Sequence, residues 1–227
     1  MNSPAFTYWR ESKPGLVLQV LVVLLPPVFF LKDAYLLVGI SFSLLLAWAM
    51  LRLQNKTWKD VGLRRPEHFG RLLLLTLIVT AILLPLSHSA IVAVKTLMAQ
   101  TANLEAFEKI RGNITALVAG LVVAWIFGAF VEELLLRGFL LNTLYTVFAK
   151  GGCWLWIPWT LAVLITSIVT GIGHFYQGIV GMIGTGLIAL GFSAVYLMNR
   201  RNLWSCILAH GLYDTVGLIL VYRGIIA

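Results

Sequence analysis

Charge is what this 227-residue sequence has least of: only 11% of its residues are charged, and nine of them are acidic. A soluble domain carries roughly a quarter charged residues and is about half apolar, whereas apolar residues make up 60% here. In water such a chain would expose large apolar patches and aggregate. The composition therefore excludes a soluble globule and fits a bilayer as solvent. Cysteine is scarce as well. Cys153 and Cys206 lie in apolar surroundings without metal-type spacing and read as small buried hydrophobes. The sequence has no HExxH pair, repeat array, low-complexity tail or polar stretch able to form a soluble domain. It reads as one membrane domain over residues 1–227. The apolar run after Met1–Pro14 lacks a clear small-residue cleavage site and is expected to be an uncleaved first span.

The formal charge of +8 invites a nucleic-acid partner, but the positions of the charges argue against one. Arg52, Lys56, Lys59, Arg64, Arg65 and Arg71 sit between apolar runs, and no basic, aromatic-interleaved surface segment exists. Loop clusters of this kind mark cytoplasmic connections. The connection from Gln54 to Arg71 then faces the cytoplasm, together with the N-terminus.

A spanning helix needs about 20 predominantly apolar residues. The runs that qualify are about 15–31, 34–53, 72–94, 114–136, 154–175, 178–198 and 203–222. Barrel strands would alternate polar and apolar residues, which these do not. The expected fold is therefore all-α, a polytopic bundle of about seven to eight transmembrane helices. An eighth stretch, 139–149, is too short to cross alone; it is a surface helix, a re-entrant one or part of a longer broken span. Pro26 and Pro27 should kink the first span. Residues 95–113 read as a partly amphipathic interfacial helix, with Leu104, Phe107 and Ile110 at helical spacing. Trp154, Trp156 and Trp159 are placed as an aromatic belt would place them.

An ionisable side chain within a bilayer costs about 2.5–3.5 kcal/mol even on lenient scales, so each one needs a reason. Those in or at the ends of apolar runs are His88, Glu132, Glu133, Arg137, His174, His210 and Asp214. His88 has Ser87 and Ser89 beside it and reads as a satisfied structural residue. Adjacent helix positions point about 100° apart, so Glu132 and Glu133 cannot share one role. Glu133 and Arg137 are four apart and stack as an ion pair. That leaves Glu132 unpaired within the helix and suited to general-base work. The alternative is a Glu-Glu-Arg helix end snorkelling to the interface. His210 and Asp214 repeat the four-residue spacing inside the last run, where Asp214 can accept from the imidazole and fix its tautomer. His174 follows Gly171 and Gly173, which permit close helix packing or close approach of a substrate backbone.

Glu132-Glu133-Leu134-Leu135-Leu136-Arg137 resembles the EExxxR motif of the CPBP family of CAAX protease and bacteriocin-processing intramembrane endopeptidases. His174 resembles the histidine ending the family's FxxxH motif, with Thr170 in place of Phe. His210 to Asp214 resembles its HxxxN/D motif, with Asp where Asn is more usual. The motifs occur in the family's order. Trp58-Lys59-Asp60-Val61-Gly62-Leu63-Arg64 also resembles a recurrent loop before the family's core helices, which extends the likeness over about residues 55–220. The resemblance implies a glutamate-type endopeptidase needing no cofactor or metal. In it Glu132, assisted by His174, activates water, and His210 donates to the tetrahedral intermediate. Asp214 orients His210, and Glu133 and Arg137 brace the helix. The implied partners are the lipid bilayer and a membrane-associated peptide or protein, and the implied setting is a prokaryotic inner membrane. A zinc-dependent membrane protease, a transporter and a non-proteolytic scaffold or immunity protein are the competing readings. Were every apolar run a simple full crossing, Glu132 and His174 would end on opposite sides of the membrane.

Overall fold

The computed structural model describes residues 9–29, 33–152, 154 and 156–226, and every regular element among them is helical. Helix α1 is Lys13–Phe29, α2 Asp33–Leu53, α3 Phe69–Met98, α4 Ile114–Ala149, α5 Trp156–Gly173, α6 Gly178–Met198 and α7 Leu203–Tyr222. Six of these, α2 to α7, are long and apolar enough to cross a membrane, and α1 is a shorter apolar helix. The chain is an integral, multi-pass membrane protein. Its outer faces carry exposed Leu, Ile, Val, Phe and Trp, as lipid-facing surfaces must.

Helix α4 decides among the three readings left open for residues 139–149, in favour of a longer span. Residues 139–149 are neither a surface nor a re-entrant helix but the continuation of the preceding span, giving one helix of 36 residues. Its middle is wound as a π-helix, over Ala124–Glu132 and again over Leu134–Leu141. Such wide turns are rare and concentrate at functional sites. A helix end at Glu132, Glu133 and Arg137 is the alternative that the sequence offers. The helix passes through them because Arg137 is fully buried and its charge is answered inside the bundle.

Other expectations are corrected more locally. The first span ends at Phe29, so Pro26 and Pro27 fall in its last turn instead of interrupting it. Pro27 has no N–H to give to the carbonyl of Val23; the Ser43 hydroxyl of α2 donates to that oxygen instead, at 2.6 Å. Residues 95–113 form no interfacial α-helix. Helix α3 runs on to Met98, and only a short 3-10 helix, Glu105–Ile110, follows. Its apolar residues turn inward, with Ile110 packed among Leu117, Leu218 and Val221. Trp154 and Trp156 are exposed, but Trp159 is not a simple belt residue: it stacks on Tyr145 at 3.9 Å between ring centroids. Cys206 is buried, whereas Cys153 and residues 1–8, 30 and 31 of the expected N-terminal run lie outside the described residues.

The bundle has one strongly basic end, where the 54–68 loop docks on the turn between α6 and α7. Tyr196 Oη donates to the Val61 carbonyl (2.9 Å), Leu203 N to Gly62 O (3.0 Å) and Arg64 Nη2 to Arg200 O (2.8 Å). Asp60 accepts from the Thr57 hydroxyl and backbone N–H, and these bonds hold its carboxyl below the usual range. At the other end Asn103 N bonds Gln177 O and Gly112 N bonds Tyr222 O. Helices α5 and α6 pack closely because Gly171 lies against the backbone: a Cβ there would be 2.6 Å from the Met182 carbonyl oxygen.

Candidate active site

Four of the ionisable residues singled out in the sequence, Glu133, Arg137, His210 and Asp214, meet at the middle of α4. Glu133 and Arg137 are wholly buried, and Arg137 Nη1 donates to Glu133 Oε1 at 2.9 Å. The expected one-turn ion pair therefore exists. Arg137 also ties two helices together, because Nη2 donates to the Ala189 carbonyl of α6 at 2.9 Å. Its guanidinium carbon lies over the Phe192 ring, 5.6 Å from the centroid.

His210 comes from α7 to the same carboxylate oxygen. Its Nδ1 is 2.8 Å from Glu133 Oε1, and a carboxylate can only accept, so Nδ1 carries the proton. The other nitrogen, Nε2, lies 3.4 Å from Asp214 Oδ2. The spacing pointed to Asp214 as the orienting carboxylate. The structure adds a nearer one, Glu133, on the opposite ring nitrogen. Phe192 stacks on the imidazole at 4.6 Å and closes its remaining face.

Gly128, one turn before Glu132, was not singled out by sequence reasoning. A Cβ at this position would sit 3.2 Å from Asp214 Oδ2 and 3.9 Å from His210 Nε2. Glycine therefore leaves open the space in front of the outward nitrogen of His210. Nothing in the sequence distinguishes Gly128 from the other glycines, because its meaning lies in which helix faces it.

Glu132 is half-buried, and no hydrogen bond or ion pair among the described residues engages it. Its charge falls within electrostatic range of Asp214 and of the Tyr176 phenol, and Asp214 also senses His174. The apparent conflict over membrane sides is resolved by α4. Tyr145 and Trp159 stack at one depth. Counting from them, Glu132 lies back along α4 and His174 onward along α5, each by roughly 20 Å at about 1.5 Å per residue. The two helices are antiparallel, so both residues arrive at a similar level.

His174 is hydrogen-bonded to backbone, and its ring lies 5.8 Å from that of Tyr176 between centroids. Its Nδ1 donates to the Thr170 carbonyl at 2.9 Å, which leaves Nε2 free. The side chain of Thr170 is turned away and bonds the Thr166 carbonyl (2.8 Å), so replacing the motif's phenylalanine does not loosen His174. Tyr176 Oη accepts from Gln177 at 3.1 Å, and its own proton remains available. His88 is exposed on α3 and is not part of this group; the adjacent Ser87 is the inward residue and bonds Tyr213.

Behind the site, Asn142 Nδ2 donates to the carbonyls of Arg137 (2.8 Å) and Gly138 (2.9 Å) and lies 2.8 Å from Tyr196 Oη. This pins the wide part of α4 to α6 and, through Val61, to the basic loop. An amide inside the apolar run 139–149 was the signal that could have revealed it.

Residues 113–216 match the family model of Rce1-like, type II CAAX prenyl endopeptidases. This segment is similar to that family. The Rce1-like segment holds all six residues that carried the resemblance, whereas the Trp58–Arg64 loop lies before it. No curated protein and no solved structure matches the chain. Among the described residues no group of three or more His, Cys, Asp or Glu is placed to hold a metal ion.

Proposed function

We propose that this protein is an intramembrane endopeptidase that hydrolyses a peptide bond of a membrane-associated substrate with a water activated by Glu132 and His174. The observation that carries this reading is the division of labour between adjacent carboxylates. Glu133 is consumed by Arg137 and His210, and Glu132 is left half-buried and unengaged, with both it and His174 within electrostatic range of Asp214. An unengaged carboxylate and an imidazole with a free nitrogen, sharing Asp214 as a neighbour, are the groups that general-base hydrolysis needs. The Rce1-like match supports the same class of reaction.

Glu132 takes a proton from water as the oxygen attacks the scissile carbonyl, and returns it to the leaving amine; His174 Nε2 positions that water. His210, anchored at Nδ1, directs Nε2 toward the gap left by Gly128. A proton on that nitrogen stabilises the tetrahedral oxyanion, and Tyr176 supplies a second donor nearby. Asp214 flanks the donor, and Glu133 with Arg137 fixes its position. The basic end faces the cytoplasm of a prokaryotic cell under the positive-inside rule, and a prenylated tail, a peptide precursor or a sorting tail enters between the helices from lipid.

The test is cleavage of tagged membrane-tail peptides by purified protein in liposomes, comparing wild type, Glu132→Gln and His174→Ala with and without a strong chelator. Chelator-resistant cleavage that falls at least about 100-fold in Glu132→Gln is expected. Unchanged cleavage by Glu132→Gln would sink the assignment, and loss of wild-type activity to the chelator would favour a metal-dependent enzyme.

A further inference from the structure

A second site lies at the basic end, away from the reacting residues. Between α5 and α6 runs a cleft of about 870 Å³, within the roughly 300–1,000 Å³ usual for small-molecule sites. Its walls are apolar: Val163 and Leu164 from α5 face Leu190, Ala194 and Leu197 from α6. Leu164 and Ala194 are exposed, so the cleft opens sideways onto the lipid-facing surface. Its mouth is different. Arg64, Arg200 and Arg201 rim it, with Trp156 and Trp159 beside them. Among the described ion pairs only Glu67 answers this rim, bonding Arg200 at 2.9 Å. Arg201 lies over the Trp159 ring, 5.6 Å from its centroid.

The backbone at this rim is an independent sign. Arg200 and Arg201 have φ values of +53° and +60°, and Asn202 N bonds Asn199 O at 3.0 Å. This is a type I′ turn, in which Asn-Gly or Gly-Gly is the usual central pair because side chains resist positive φ. The sequence instead places two arginines there. Residues held in disfavoured conformations concentrate where a side chain has a task.

We propose that this cleft binds a membrane phospholipid with an anionic headgroup, its phosphate on the arginine rim and one acyl chain along the α5–α6 walls. Basic pockets between membrane helices recognise such headgroups, and tryptophan marks the same level of the interface. Glu132 and His174 lie roughly 20 Å along the helices from Trp159, so the rim touches no reacting bond.

The test uses the purified full chain in non-ionic detergent, titrated with phosphatidylglycerol or phosphatidylcholine and followed by the rise in Tm. Phosphatidylglycerol should stabilise the wild type and phosphatidylcholine should not. Arg200→Gly/Arg201→Gly suits the turn better than the native pair, so it should fold at least as well yet need about 30-fold more phosphatidylglycerol, at about fivefold for each interfacial arginine. Ala194→Trp fills the walls without touching charge and should also abolish the response. An undiminished response in the double glycine variant overturns the proposal. So does an equal effect from inorganic phosphate, or displacement of the lipid by a peptide carboxylate at equal concentration.

Discussion

Removing the side chain of Arg137 should uncouple stability from charge count. In Arg137→Ala, Glu133 stays wholly buried and loses the 2.9 Å bond from the guanidinium, and the Ala189 carbonyl loses its donor. Stranding one member of a buried pair costs about 3–5 kcal/mol. His210 remains 2.8 Å from Glu133 and compensates in part, which places the expected loss near the lower bound, about 3 kcal/mol. On the scaling for chains of this size that is a fall in Tm of about 6–12 °C. The double substitution Glu133→Gln/Arg137→Met removes both charges and keeps comparable volume, so it should recover most of the loss, because the cost arises from the unpaired ion more than from the missing attraction. Cleavage should not return with it, since His210 would have lost the carboxylate at Nδ1. Thermal unfolding in detergent, run beside peptide cleavage, reads both quantities. A single variant as stable as wild type, or a double variant less stable than the single, would refute the reasoning.

Two further outcomes follow from the site geometry. Gly128→Ala places a methyl 3.2 Å from Asp214 Oδ2 in front of His210 Nε2; kcat/KM should fall at least about tenfold with Tm little changed, and equal loss of both would show a packing role instead. Asp214→Asn should keep cleavage within about tenfold of wild type, because Glu133 already fixes the imidazole from the other nitrogen. Complete loss in that variant would show that the more distant carboxylate is indispensable.

Much of this arrangement is legible in the sequence, for reasons that can be stated. Apolar runs fix the helices because lipid allows no other way to satisfy the backbone. The Glu133–Arg137 pair follows from spacing alone, and so does the approach of Asp214 to His210. What spacing cannot give is which helix faces which. The Glu133–His210 bond joins residues 77 positions apart, and no periodicity within either helix announces it. The alternative of a helix end at the Glu-Glu-Arg cluster fails because Arg137 is buried and paired with Glu133. Gly128 and Asn142 went unread for the same reason: their partners, His210 and Tyr196, sit on other helices. The docking of the 54–68 loop on the α6–α7 turn is carried largely by backbone carbonyls, which leave little mark in side-chain pattern.

The wide winding of α4 bears on how this protein tolerates insertions and deletions. A π-turn amounts to one extra residue absorbed without unravelling the helix. Losing a single residue from Ala124–Glu132 would let that stretch relax to ordinary α geometry with the turns on either side still facing as before, whereas losing one from the α-wound Ile114–Val123 would turn one side by about 100° relative to the other. The apolar surface would still satisfy the bilayer and the polypeptide would still fold. With the π-turn deletion lying between them, Gly128 would still stand over the outward nitrogen of His210 while Glu133 held the inward one. A codon deletion in that wide stretch is thus one that both the membrane and the chemistry can absorb, provided that Gly128, Glu132 and Glu133 are spared.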